Sequence, residues 1–158
     1  MPYEIRTVHT DSGDRDFAAL IVLLDEDLRS RYGSLQSFFD QFNKVDNIRN
    51  VVIAYIDGQA AGCGAIKPFD DGSAEVKRIF VHPAYRRKGV AKRILAELER
   101  RAEELGFSSC ILETGFEQPE AIALYQSSGY YAIENFGPYA GVEISLCMRK
   151  DLQENTSA

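Results

Sequence analysis

Val81-His82-Pro83-Ala84-Tyr85-Arg86-Arg87-Lys88-Gly89-Val90-Ala91 joins two segments of different period. Residues 74–81 read as a strand that Pro83 ends, and residues 89–105 read as a long helix. That helix carries Val90, Ile94, Leu98, Ala102 and Leu105 on one stripe and charges on the other, with Gly106 as its C-terminal stop. Between strand and helix stand three cations, Arg86, Arg87 and Lys88, followed by Gly89. A helix start offers unpaired backbone N–H groups and the positive end of the helix dipole. Gly89 removes the side chain where an anion has to approach the backbone, and Ala91 leaves the next turn nearly as open. Strand, basic turn, glycine and helix start together make a site sized for a phosphate or pyrophosphate. No Gly-x-x-x-x-Gly-Lys-Ser/Thr occurs, so this is not a Walker loop. Gly62-Cys63-Gly64 is only a fragment of a dinucleotide fingerprint inside a strand, and reads as a pair of structural glycines.

Upstream of this turn, 51–56 is a β-branched run ended by Asp57-Gly58, a dipeptide suited to a tight hairpin. Its partner, 59–66, is rich in Ala and Gly and is expected to pack closely. Residues 3–8 alternate weakly and read as a first strand. Phe17, Leu20, Ile21, Leu24 and Leu28 recur at helical spacing over 14–30. Leu35, Phe38, Phe39 and Phe42 predict a second, shorter helix with Ser34 as its N-cap. Downstream, 109–114 reads as a strand and 119–128 as a helix, with Pro119 at its start and Gly129 just past its end. Residues 130–134 and 142–149 close the fold as strands. The sum is a mixed α/β (α+β) architecture without the regular βαβ alternation of a doubly wound fold. It is one domain over 1–152, with a flexible polar tail over 153–158.

The chain has 158 residues, 45% of them hydrophobic and 27% charged, which suits one folded domain. A net charge of −6 argues against nucleic acid as a partner, because the phosphate backbone attracts cationic faces. The same charge would favour a cationic substrate, and is equally a solubility device. Cys63, Cys110 and Cys147 are odd in number and lie beside apolar residues, which reads as reduced core cysteines. No apolar run reaches bilayer-spanning length and residues 1–10 have no signal pattern, so no membrane is expected and the cytoplasm is the default location. No Cys/His/Asp cluster has metal-ligand spacing, so no metal is expected.

Val76-Lys77-Arg78-Ile79-Phe80-Val81-His82-Pro83, followed by Arg86-Arg87-Lys88-Gly89-Val90-Ala91, resembles the acetyl-CoA-binding motif of the GCN5-related N-acetyltransferases (GNAT). That motif runs Arg/Gln-x-x-Gly-x-Gly/Ala after a strand. Glu113-Thr114-Gly115 and Ala121-Ile122-Ala123-Leu124-Tyr125-Gln126-Ser127-Ser128-Gly129-Tyr130 resemble the second half of the same family. Two motifs in order at the right separation are more specific than either alone. The resemblance covers about 50–150. It implies a mostly antiparallel sheet of about seven strands flanked by about four helices, splayed between the fourth and fifth strands. It places the pyrophosphate on Arg86, Arg87, Lys88, Gly89, Val90 and Ala91, with Lys92 next to them. The backbone of Ile79, Phe80 and Val81 would pair with the pantetheine arm. Ala91 stands where glycine is commoner, and Gln118 stands where Asn often contacts the cofactor.

The implied reaction is transfer of an acetyl group from acetyl-CoA to a primary amine of a small molecule, by direct attack in a ternary complex. Protein lysine or N-terminal acetylation is the alternative within the same fold. A non-catalytic acyl-CoA-binding regulatory module is the alternative outside enzymes, and a homodimer is admitted. Tyr125 occupies the family's tyrosine position and is the candidate general acid, its reference pKa near ~10 lying close to that of an alkyl thiol. Glu75 and Glu113 are the rival candidates for general base, each also able to serve as an ion-pair partner on the sheet. Strand alternation places Glu75, Lys77, Ile79 and Val81 on one face, a parity that a β-bulge would reverse. His82 reads as a loop cap. Acceptor specificity is expected from 14–42 and 135–139, with their aromatic and acidic side chains.

Overall fold

The computed structural model describes residues 4–32 and 47–152. Its elements are β1 (Ile5–Thr10), α1 (Arg15–Tyr32), β2 (Asn50–Ile56), β3 (Gln59–Pro68), β4 (Ser73–Val81), α2 (Val90–Glu104), β5 (Ser109–Gly115), α3 (Pro119–Ser127), β6 (Tyr131–Ile133) and β7 (Ser145–Asp151). The helix expected around 35–42 and the tail over 153–158 lie outside the described residues. Local chemistry explains most boundaries. Asp14 caps α1, its Oδ1 accepting from the Asp16 and Phe17 N–H groups at 2.8 and 3.3 Å. Asp57 and Gly58 both take positive φ, 50° and 79°, as a two-residue hairpin turn of the primed type requires. Gly106 stops α2 in a left-handed conformation, with its N–H on Glu103 O and the Phe107 N–H on Ala102 O.

The seven strands form one sheet in the order β1-β2-β3-β4-β5-β7-β6, antiparallel everywhere except between β4 and β5. On one face α1 buries Phe17, Leu20, Ile21 and Leu24 against Val51, Ile53, Cys63, Ala65 and Phe80. On the other, α2 buries Val90, Ile94, Leu95, Leu98 and Ala102, and α3 adds Tyr125 to the same layer. A fully buried Leu or Ile contributes about 1.5–3 kcal/mol, so these two layers dominate the stability.

Gly62 and Gly64 let α2 lie close on the sheet. A Cβ at Gly62 would stand 2.7 Å from the Phe80 carbonyl oxygen and 3.0 Å from Val90 Cγ1. The backbone oxygen cannot swing aside as a side chain can. Gly62→Ala should therefore lower stability by about 1–3 kcal/mol, read as a drop in the urea midpoint with an unchanged slope.

Two expectations change. The register of β3 on β4 shifts between Cys63 and Ala65, and Arg78 takes φ 61° at that bulge. Val76 packs into the α2 layer, and after the bulge Ile79 and Val81 do too. Glu75 and Lys77 therefore face opposite to Ile79 and Val81, because the extra residue reverses the parity. The last strand also begins at Ser145 and not at 142. Its expected first residues turn instead: the Asn135 side-chain amide donates to both Val142 O and Ser145 O at 3.0 Å.

Candidate active site

β4 and β5 touch only at one end. Ser73, Ala74 and Glu75 pair with Ser109, Cys110 and Ile111, and no pairing continues beyond. The closed end is pinned by Gly72 O, which accepts from the Ser108 and Ser109 N–H groups at 2.9 and 3.1 Å, and by a 2.9 Å contact between the Ser73 and Ser109 hydroxyls. Past Glu75 the strands diverge, and β4 keeps a sheet partner on the β3 side alone. The splay implied by the resemblance is present. Its opening is a cleft lined by Glu75, Lys77 and Arg78 of β4, Glu113 and Thr114 of β5, Gln118 and Tyr125 around α3, Leu24 and Leu28 of α1, and Tyr139.

The basic turn lies where β4 runs out. His82 caps its first part, Nδ1 accepting from the Ala84 N–H at 3.0 Å. Arg87 and Gly89 take φ 64° and 81°, and Gly89 stands at the N-cap of α2. Arg93 is the donor to Gly89 O, at 3.1 Å, so the N–H groups of Val90, Ala91 and Lys92 precede the helical ladder. A Cβ at Gly89 would meet nothing within 4 Å, so the space in front of the helix start is open. The six residues of the turn do not contribute alike. Val90 buries its side chain in the core and leaves only its N–H to the turn. Arg86 donates from Nε to Val81 O at 3.1 Å and lies 5.8 Å from the Phe80 ring centroid, which ties the turn to β4.

The acid–base candidates stand within the cleft itself. Glu113 and Tyr125 meet there, together with Glu75. Glu75 has a cation partner, Lys77 Nζ at 3.4 Å. Glu113 accepts from the Ser145 hydroxyl at 2.9 Å. Burial pushes the Glu113 carboxyl up to about 7, further than the Ser145 hydrogen bond and Lys77 pull it down. The Tyr125 ring packs edge-on to Tyr130, centroids 5.8 Å apart. Burial, and then the Glu113 charge, raise the Tyr125 hydroxyl above its ordinary value. The near match between its acidity and that of a thiol is therefore lost. The thiols are poor nucleophiles: burial pushes Cys63 and Cys110 up to about 12 and Cys147 to about 11.

Sequence reasoning missed Arg78 as a cleft residue and quoted it only within the motif strand. Its guanidinium instead reaches across to α1, Nη1 lying 3.2 Å from Asp25 Oδ1. Only the bulge puts it there, and no sequence signal marks that bulge. Tyr139 was anticipated within the 135–139 loop. It is buried under Phe136, whose ring it meets edge-on at 5.7 Å. No helix among the described residues is long and apolar enough to cross a membrane.

Residues 17–130 match the Acetyltransferase (GNAT) family. The chain is 40% identical over 102 residues to an IAA acetyltransferase of Azospirillum brasilense, a match covering 64% of this chain and 67% of that protein. It is 37% identical over 103 residues to the uncharacterized N-acetyltransferase YsnE of Bacillus subtilis strain 168, over 63% of this chain and 67% of that one. Among solved structures, a candidate acyl-CoA N-acyltransferase of Klebsiella pneumoniae superposes with TM-score 0.78 and 32% identity, covering 96% and 98% of the two chains. A GNAT acetyltransferase of Elizabethkingia anophelis with acetyl-CoA bound shares the fold at TM-score 0.68 and 19% identity, over 94% of this chain and 98% of that one.

Proposed function

Because the chain belongs to the GNAT family and is an acetyl-CoA-dependent N-acetyltransferase, we propose that it acetylates a primary amine of a small molecule by direct attack in a ternary complex. The observation that carries the assignment of roles is the placement of Glu113 and Tyr125 in one cleft, opened where β4 and β5 part. Leu24 and Leu28 of α1 line the same cleft, which favours a small acceptor. The name of the Azospirillum relative, an IAA acetyltransferase, points the same way.

Arg87, Lys88, Gly89, Ala91 and Lys92, with the Val90 N–H, hold the pyrophosphate, and Arg86 braces the turn. The unpaired edge of β4 at Ile79, Phe80 and Val81 takes the pantetheine amides as an added strand would. Backbone N–H groups on that edge polarise the thioester carbonyl. Glu113 accepts a proton from the amine as its nitrogen bonds to the carbonyl carbon. The C–S bond breaks, and the departing thiolate takes its proton from the Tyr125 hydroxyl. Glu75 holds Lys77 and is the lesser candidate for base.

The test is release of free thiol from acetyl-CoA across a panel of amines and peptides. Release with small amines and not with peptides supports the reading. Acetyl-CoA binding with no release for any acceptor would favour a binding module. A narrower check falls on the turn. Gly89→Ala places a methyl group in the open space at the helix start and strains a left-handed residue by roughly 1–2 kcal/mol. Acetyl-CoA affinity measured by calorimetry should fall about tenfold or more.

A further inference from the structure

Arg78 is 6% exposed in its side chain, yet its Nε is buried without a hydrogen-bond partner among the described residues. A buried charged donor left unpaired costs more than about 1–3 kcal/mol, so folds rarely keep one without a use for it. The guanidinium is nevertheless held firmly. The bulge at φ 61° turns it out of the sheet, and Asp25 of α1 takes Nη1 at 3.2 Å. That leaves the opposite edge, where Nε and Nη2 form a parallel fork of the kind that takes both oxygens of a carboxylate. Arg78 lines the cleft that also holds Glu113 and Tyr125.

The charges around it limit what would fit. Asp25 balances Arg78, Glu75 balances Lys77, and Glu113 remains on the β5 wall. Among the described residues no cation of the cleft is in surplus, so a simple carboxylate would add an uncompensated negative charge. An acceptor bearing both an ammonium and a carboxylate adds none, and each of its ends meets an opposite charge. We propose that the acceptor is a free amino acid or a similar amino-carboxylate, its carboxylate seated on the Nε edge of Arg78 and its amine turned to Glu113. This rests on the acetyltransferase reading above and names the acceptor class of the same site. The ammonium so held gives one proton to Glu113 and attacks the thioester carbonyl as the neutral amine; its second N–H proton replaces the one that the Tyr125 hydroxyl gives to the departing thiolate, while the carboxylate takes no part in bond making.

The experiment compares L-amino acids with their primary amides as acceptors, with free-thiol release as the readout. The wild-type protein should prefer the free carboxylate by about tenfold or more in kcat/KM, mainly through KM. Arg78→Gln should collapse that ratio toward one, and Arg78→Lys should restore only part of it because an ammonium lacks the fork. Equal wild-type turnover of acids and amides overturns the proposal and leaves the acetyltransferase reading standing. A ratio unchanged in Arg78→Gln also overturns it. Absence of thiol release with every acceptor overturns both. Because the wild-type comparison needs no variant, a misfolded Arg78→Gln protein does not shield the proposal.

Discussion

Glu113→Gln should slow acetyl transfer by about a hundredfold or more and, above pH 7, make the protein harder to unfold. Loss of a positioned base commonly costs 10²–10⁴ in rate, and the amide cannot take the amine's proton. The stability gain follows from the same burial that suits Glu113 to the proposed role of base. Its carboxyl is raised in the folded state to about 7, above the ordinary carboxylate range. A carboxyl raised on folding stabilises fully below its unfolded value, and that contribution is lost as pH climbs through about 7. At pH 8 the wild-type protein bears a buried charge that Gln lacks, while the Ser145 hydroxyl can still donate to the Gln oxygen. One pKa unit is about 1.4 kcal/mol, which bounds the gain at roughly 3–4 kcal/mol and the rise in Tm at several degrees. Thermal melts of both proteins between pH 4 and pH 9 check it: the curves should converge at the acid end and part through neutrality. In the wild type, kcat/KM should rise through the same window. A flat profile there would remove Glu113 from the role of base.

Tyr125→Phe should lower turnover by about a hundredfold while acetyl-CoA affinity stays within about twofold. The ring is the packing part of this residue, set edge-on to Tyr130 and buried in the α2 layer, and Phe keeps it. The hydroxyl is the chemical part. Burial and the Glu113 charge keep it protonated well beyond neutrality, so its own ionisation should produce no alkaline fall in rate below pH 10. Single-turnover acetyl transfer, together with calorimetric titration of acetyl-CoA, separates the two parts. Loss of affinity equal to loss of rate would make Tyr125 a binding residue. Glu113→Gln with Tyr125→Phe should be less than additive, because both act on one transition state.

The local features of this protein were open to reading from the chain. The Asp57-Gly58 hairpin, the α2 stripe with Gly106 behind it, and the basic turn before Gly89 all depend on neighbours within a few residues. Capping, turn geometry and period act over that range. The anion-ready turn and the aligned motifs downstream sufficed to identify the family. Which carboxylate is better placed for the proposed role of base was not legible in this way. Glu75 and Glu113 have the same chemistry, and in an isolated strand nothing distinguishes them. Packing separates them: Lys77 pairs with Glu75 at 3.4 Å, while Glu113, across the splay, accepts its hydrogen bond from the neutral Ser145 hydroxyl.

Sequence alone thus determined the family and the order of the described strands and helices, and it marked the turn proposed to hold the donor. Each follows from short-range backbone chemistry and from motif spacing. Tertiary structure alone placed the groups proposed for the acceptor end. One extra residue in β4 reversed the strand's parity and set Arg78 into the cleft with Nε unpartnered among the described residues, and burial carried Glu113 to about 7. Desolvation and side-chain direction belong to the assembled neighbours of a residue, and those neighbours come from α1, β5 and β7, far away in the chain.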